Sequence, residues 1–571
     1  MSWWFTDTAR AKSEQAALAQ LDEQVGWLSG VTWSMGDHLQ LNVEFDIEHD
    51  GEVFGLSMAY PATFPDTPPM ISPRDGKQLS WHQYGAGGEL CLEFRPDNWD
   101  SSITGSMMVE SAYRLLSGER PMGDDRGIVP SAHQASIGRD LRGETMRFVV
   151  AREAIDVLKD IPPEAPLPID VWERIGKPLW IASLVSIGDT GAPLWAGGAP
   201  CPSGSIKAKG FVLRTSRDVE RFRGNADGFA NNLPAEFPEL AERFPENPFT
   251  GYVLLGEGDR WIVLYLFAYQ DKQTVFPYKV IVAPETAGRL PPGHAALASK
   301  RVAIVGCGSV GSKIAGMLAR SGVRRFTFID DDVFFPANLV RNELDARAIG
   351  LHKAEALTSR LEDIASDMDI TTRRVALGQQ ESAGTTEWVM EDLTKADLLI
   401  DATADPRAFN LVAAVARRHR KPMVWCQVYA GGVGGLVARA RPDIDPPPMQ
   451  ARGQIQAWCD SQNIPWTGSA EADYGARSGS GAPLIADDAD VSVIASHAGR
   501  MALDILTRDH TIFPSSAYLI GLAAEWIFQA PFDTWPIELH PDGEWGNPQG
   551  AASTEDLIDL MTTLFPTGGQ E

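Results

Sequence analysis

Cysteine is scarce in this sequence. Five thiols in 571 residues stand at Cys91, Cys201, Cys307, Cys426 and Cys459, and no two form a C-x-x-C pair. That scatter excludes a disulfide scaffold and a site of paired zinc-binding thiolates, so no zinc is expected. Basic charge is short too: 50 Lys and Arg against 76 Asp and Glu leave a formal charge of −26. A general nucleic-acid binder needs a basic footprint to displace counterions, and anionic lipid attracts basic segments, so neither is expected as a partner. Long apolar runs are missing: none approaches the roughly 18 residues of a membrane span. The opening "MSWWFTDTAR" lacks the basic-then-apolar order of a secretory leader, and a cytoplasmic setting is expected.

What is present is an ordinary globular composition, 44% apolar and 22% charged, in a chain long enough for several domains. Residues 1–150 open with a helix pattern, "ARAKSEQAALAQLDEQVGWL", then alternate as strands in "LQLNVEFDIE" and "VFGLSMAY". A proline-rich loop and the helix-like "GSMMVESAYRLLSG" follow. Residues 151–295 hold strand-like "PLWIASLVSIG" and a hairpin, "TGYVLLGEGDRWIVLYLF", and read as a β-rich linker or docking domain. From residue 296 to 571 apolar strands alternate with helices, as in a parallel α/β sheet, and "DVSVIASHAGRMALDILTRD" reads as its closing helix. The Pro/Gly/Ser-rich stretch from "RPDIDPPPM" to "YGARSGSGAPLIADD" reads as loop. The expected fold class is α/β and α+β multidomain.

The chemistry begins at "VGCGSVG", where Gly306, Gly308 and Gly311 take G-x-G-x-x-G spacing after a strand and before a helix. Such glycines allow a tight turn and let phosphates approach a helix N-terminus. Asp330 ends the next strand, where a carboxylate can accept a ribose hydroxyl. These features alone fit a dinucleotide dehydrogenase as well as an ATP enzyme. "IDDDVFFPANLVRNEL" adds Asp332, Asn338 and Arg341, and "GLHKAEAL" adds Lys353; the cations Arg341 and Lys353 are better suited to clamping phosphates than to hydride transfer. Together with "LIDATADPRAFN", this pattern resembles the ThiF/MoeB and ubiquitin-activating adenylation family over residues 295–530. The resemblance implies a Rossmann-type adenylation fold using ATP and Mg2+. Asp330 would hold the ribose, Arg341 and Lys353 the phosphates, with Asn338 beside them. An aspartate of "DATAD" would meet magnesium. The family pattern D-x-T-D carries one extra residue here, so Asp401 and Asp405 compete and Asp405 is favoured. The paired-cysteine zinc site common in sulfur-carrier relatives is absent, which directs the reading toward protein conjugation.

Cys91, in "WHQYGAGGELCLEFRPDNW", follows a glycine-rich turn. By residue type alone it is either a nucleophile or core packing. The order "FPDTPPMISP", His82, "GGELCLEF", Trp99, Thr104 is similar to the ubiquitin-conjugating fold over residues 15–120. That resemblance implies a UBC-like α+β domain with Cys91 as the transfer cysteine. Gln83 and Tyr84 stand where the family has Pro-Asn, so the oxyanion role falls to His82 or Gln83 as a hypothesis.

Activating enzymes carry a further cysteine before the last adenylation helix, and the matching loop "YGARSGSGAPLIADDADVSV" has none. Cys459 swinging in, an oxyester on Ser478 or Ser480, and an inactivating substitution at Ala482 stay open. The whole resembles bacterial fusions of the two modules in CBASS anti-phage and other ubiquitin-like operons. The implied cargo is the C-terminus of a ubiquitin-like protein or of a cGAS-like nucleotidyltransferase, passed to a target amine by a homodimer. The rivals are an NAD-dependent oxidoreductase and a non-catalytic ATP-binding scaffold.

Overall fold

The computed structural model describes residues 2–80, 82–84, 87–119, 138, 141–176, 178–197, 201, 202, 204–219, 222, 235–245, 248–270, 272–283, 289–464, 486–546 and 553–565. The chain divides into two units, Met1–Glu144 and Thr145–Glu571.

The first unit begins with a short helix α1 (Trp3–Thr6) and a long one, α2 (Thr8–Gln24). Four antiparallel strands then meander in order: β1 (Leu28–Met35), β2 (Leu41–His49), β3 (Glu52–Ala59) and β4 (Met70–Pro73). Period-two alternation puts Val43, Phe45 and Ile47 of β2 across from Met58, Leu56 and Phe54 of β3, all buried. Helix α3 (Gly105–Glu119) closes this core with Met108, Val109, Ala112 and Leu116, and α2 adds Leu18 and Leu21. The fully buried carboxylate of Glu14 is satisfied by Arg10 at 2.8 Å, the Tyr60 hydroxyl at 2.9 Å and the Gly105 N–H at 2.6 Å. It ties α2 to the start of α3. A two-stranded hairpin, β5 (Gln83–Tyr84) and β6 (Glu89–Leu90), stands between β4 and α3.

The second unit opens with strands β7 (Met146–Ala151), β8 (Leu167–Ile175), β9 (Trp180–Ile187), β10 (Trp195–Ala196), β11 (Ile206–Arg214), β12 (Gly251–Glu257), β13 (Arg260–Tyr269) and β14 (Lys272–Ala283). Their order is β10-β9-β7-β14-β13-β12-β11-β8, and β8 also pairs with β9. That extra pairing closes seven strands into a ring, which removes the open edges a flat sheet would leave. Helix α4 (Arg152–Asp160) contributes Ile155 and Leu158 to the buried cluster.

The last sheet has order β17-β16-β15-β18-β19-β20-β21-β22. Five strands are parallel: β15 (Arg301–Val305), β16 (Arg325–Ile329), β17 (Asp369–Arg373), β18 (Leu398–Asp401) and β19 (Met423–Val428). Three more, β20 (Gly434–Ala440), β21 (Ala517–Gly521) and β22 (Thr534–Ile537), extend it antiparallel, where sequence reading expected a parallel sheet. Helices cover both faces. On one lie α5 (Ser309–Arg320), α6 (Lys353–Glu362) and, later in the chain, the long helix Asp488–Thr507; their Ile314, Leu357 and Ile494 share a core with Ile304 and Phe328. The other face takes α7 (Ala383–Thr394), α8 (Pro406–Arg418) and α9 (Pro448–Ser461), through Val389, Val412 and Ile455. Helix α9 lies inside a stretch expected to be loop: prolines start it, and Ala451, Ile455 and Cys459 form its buried stripe. Numbering continues with α10 for Asp488–Thr507 and α11 for Thr554–Leu564. No helix among the described residues is long and apolar enough to cross a membrane.

Candidate functional site

Strand β15 sits between β16 and β18, so successive connections leave it in opposite directions. Such a switch point opens a crevice at the carboxyl ends of the strands. Two turns meet there. Gly306 has φ +90°, and a Cβ on it would lie 3.0 Å from Thr403 and 3.1 Å from the Ala402 backbone. A Cβ on Gly311 would sit 1.9 Å from the Gly306 carbonyl oxygen, so helix α5 packs against the turn only as glycine. Gly308, the N-cap of α5, differs: nothing lies within 4 Å of its would-be Cβ. The first and third glycines are used up by the fold, and the second faces open space that a phosphate can enter.

The cavity at this point is lined by Gly306, Gly308, Asp330, Lys353, Thr403 and Asp405, among others. Asp330 accepts the Cys307 N–H at 2.6 Å and the Asp332 N–H at 2.9 Å. Burial raises its pKa above the usual carboxylate value, against those N–H donors and the charge of Lys353. Lys353 is 4% exposed and is the first residue of α6. A cation there stands against both desolvation and the positive end of the helix, so its position calls for anions. Asp332 supplies one at 2.6 Å, its own carboxylate still 62% exposed.

Asp401 and Asp405 divide in role. Asp401 is buried; its Oδ1 accepts the Thr403 N–H at 3.0 Å and hydroxyl at 2.6 Å, and burial pushes its pKa up to about 6. The Thr403 hydroxyl in turn accepts the Asp405 N–H at 3.0 Å. Ala404, at φ +55°, takes the left-handed turn that accommodates the extra residue. Asp405 then caps α8 and pairs with Arg407 at 2.8 Å, which holds its carboxyl below the usual value. Asp401 lines a small pocket with Arg452 and Trp425, and Asp405 lines both that pocket and the switch-point cavity. Among the described residues no cluster of three or more His, Cys, Asp or Glu is arranged to hold a metal. Asp405 and phosphate oxygens could share one cation.

The other expected residues lie apart from this lining. Asn338 Oδ1 accepts the Phe335 N–H at 2.8 Å and so caps a short turn, Pro336–Val340. The Arg341 guanidinium donates to the Ala486 carbonyl at 3.4 Å. Thr403 and Glu119 were not singled out from sequence; a threonine between two aspartates was the available signal for the first. Lys313 was missed as well: its buried ammonium meets Asp488 at 2.7 Å, which fastens the start of α10 to α5.

The cysteines separate by burial. Cys307, Cys426 and Cys459 are buried, and burial pushes Cys426 to about 12 and Cys459 to about 11. A thiol so placed is a poor nucleophile. Cys201 is exposed and Cys91 half-buried. The Cys91 N–H donates to the His82 carbonyl at 2.7 Å, extending the β5–β6 ladder by one rung. His82 Nε2 lies 3.3 Å from Glu119 Oε1. Gln83 is spent on the loop: Oε1 accepts the N–H groups of Leu79 and Ser80, and Nε2 donates to the carbonyls of Lys77 and Gly88. A side chain so engaged does not serve as an oxyanion donor. Ser478, Ser480 and Ala482 lie outside the described residues.

Residues 288–463 match the ThiF family. This ThiF segment contains both turns of the cavity and the α6 lysine. An uncharacterized protein of Sinorhizobium fredii, y4oA, is 32% identical over 28% of this chain and 28% of its own length. A second, y4qC of the same organism, is 27% identical over 44% of each chain. The ATP-dependent ubiquitin transferase-like protein Cap2 of Escherichia coli is 32% identical over 22% of this chain and 20% of its own. The chain thus spans less than half the length of these curated relatives. Among solved structures, E. coli MccB with AMPCPP and MccA is 17% identical at a TM-score of 0.33, covering 44% of this chain and 68% of that one.

Proposed function

We propose that this chain uses ATP to adenylate the C-terminal carboxylate of a protein, then carries the acyl group as a thioester on Cys91 for transfer to an amine. The observation that carries the reading is the switch-point cavity in the ThiF segment, with Gly308 open, Asp330 in its lining and a buried Lys353 calling for anions. Asp330 would accept a ribose hydroxyl on lone pairs not used by the two N–H donors. Lys353, exchanging Asp332 for phosphate oxygens, would offset charge on the departing pyrophosphate. Asp405 would hold magnesium, which when bound supplies further neutralisation of phosphate charge. The carboxylate attacks the α-phosphorus, pyrophosphate leaves, and a thiol then displaces AMP; dividing one difficult acyl transfer lowers each barrier. The name borne by Cap2, a ubiquitin transferase-like protein, supports a ubiquitin-like protein as cargo; the C-terminus of a cGAS-like nucleotidyltransferase is the second candidate.

The test is pyrophosphate exchange by the purified full chain with ATP, magnesium and each candidate cargo, with intact-protein mass spectrometry. Exchange that needs a free cargo carboxylate, and a hydroxylamine-labile adduct lost in Cys91→Ala while exchange persists, are expected. NAD binding without exchange would overturn the reading in favour of an oxidoreductase. ATP binding without exchange would leave a scaffold.

A further inference from the structure

The β5–β6 hairpin pairs Gln83 with Leu90 and Tyr84 with Glu89, and the Cys91-to-His82 hydrogen bond makes those two residues the next pair. Residues directly opposite in an antiparallel pair project on one face, with Cβ atoms about 4.5–5.5 Å apart. Leu90 and Leu92 both point into the core, so Cys91 projects the other way, toward the face His82 shares. The His82 backbone is fixed from two sides: its N–H donates to Ser80 Oγ at 2.7 Å, and its carbonyl accepts from Cys91. Its ring is fixed from a third, by Glu119 at the end of α3.

Glu119 is the unusual member. It is 4% exposed, and its second oxygen, Oε2, is buried with no hydrogen-bond partner. A carboxylate held that deep, with half its acceptor capacity idle, is costly unless it works against a cation. Among the described residues it meets an imidazole, a group that becomes a cation by taking a proton.

We propose that Glu119, His82 and Cys91 form a proton relay. Glu119 accepts from His82 Nε2–H and so sets Nδ1 as the basic position of the ring. The Cys91 S–H bond breaks, the proton passes to Nδ1, sulfur keeps the electron pair, and the imidazolium charge faces Glu119. In the reverse sense, an amine attacks the acyl carbon, the C–S bond breaks, the thiolate leaves with its electron pair, and the amine proton goes to His82. This second half rests on the acyl-carrier reading above; thiol activation does not. Glu119 is a positioning residue and His82 the base.

The experiment is alkylation of the full chain by iodoacetamide, with the rate at each cysteine read by peptide mass spectrometry. Exposed Cys201 is the internal reference. At pH 7 Cys91 is expected to react about tenfold faster than Cys201 or more. In Glu119→Gln and in His82→Gln the ratio should fall to near one at pH 7, yet Cys91 should react at the wild-type rate at pH 10, where any thiol ionises. A Cys91 no faster than Cys201 in the wild type, or a ratio that survives Glu119→Gln, overturns the relay. Slow Cys91 alkylation at pH 10 in the variants overturns it too, because the pair then holds shape and not a proton. A high ratio with no hydroxylamine-labile adduct would sustain the relay and sink the acyl-carrier reading alone.

Discussion

Gly308 and Gly311 stand in the same turn, yet substituting them should fail in different ways. An alanine methyl at 308 meets no protein atom, so Gly308→Ala should melt with the wild type while ATP affinity, by isothermal titration, drops about tenfold or more through crowding of the phosphates. At 311 the same methyl meets a backbone oxygen at 1.9 Å, and Gly311→Ala should lose about 1–3 kcal/mol of stability by strain. Equal effects of the two on melting would mean that Gly308 is structural. Sequence spacing marked both glycines as one motif. Only the contacts separate the residue that shapes the turn from the residue that admits a ligand.

At the scale of elements, the antiparallel extension of the last sheet is held by a buried ion pair. Arg439 of β20 is fully buried and donates to Asp504 of α10 at 2.8 Å, with Nη2 donating to the Thr511 hydroxyl and the Phe513 carbonyl and Nε to the Ser516 hydroxyl. Such a pair costs desolvation to form, but removing one partner strands the other charge. Asp504→Ala should therefore destabilise the second unit by about 3–5 kcal/mol in urea unfolding, and the paired change Arg439→Met with Asp504→Leu should recover most of it. A double variant as weak as the single would show that the pair's geometry, not the orphan charge, matters. This element was invisible to periodicity: all seven residues of β20 are buried, so no alternation marks it. Helix α9 was hidden differently, by flanking prolines and glycines that read as loop although Ala451, Ile455 and Cys459 carry a helical stripe.

At the scale of the molecule, the division after Glu144 predicts separable chemistry. A chain begun at Thr145 should fold, by circular dichroism, and bind ATP with the affinity of the full chain, while forming no hydroxylamine-labile adduct at Cys91, which it lacks. Loss of ATP binding on that truncation would mean that the first unit completes the nucleotide site.

The sequence by itself determined the strand–glycine–helix turn, the aspartate that follows β16, the "DATAD" turn and the glycine-rich turn before Cys91, because each is local and constrained by backbone geometry over a few residues. Only the tertiary structure decided which turns meet. It set Thr403 against Gly306, Lys353 against Asp332, Glu119 against His82, and β8 against β9 in a closed ring. It also buried Cys459 and committed Gln83 to its own loop. Those outcomes depend on the packing of side chains far apart in sequence, and no window of neighbouring residues contains that information.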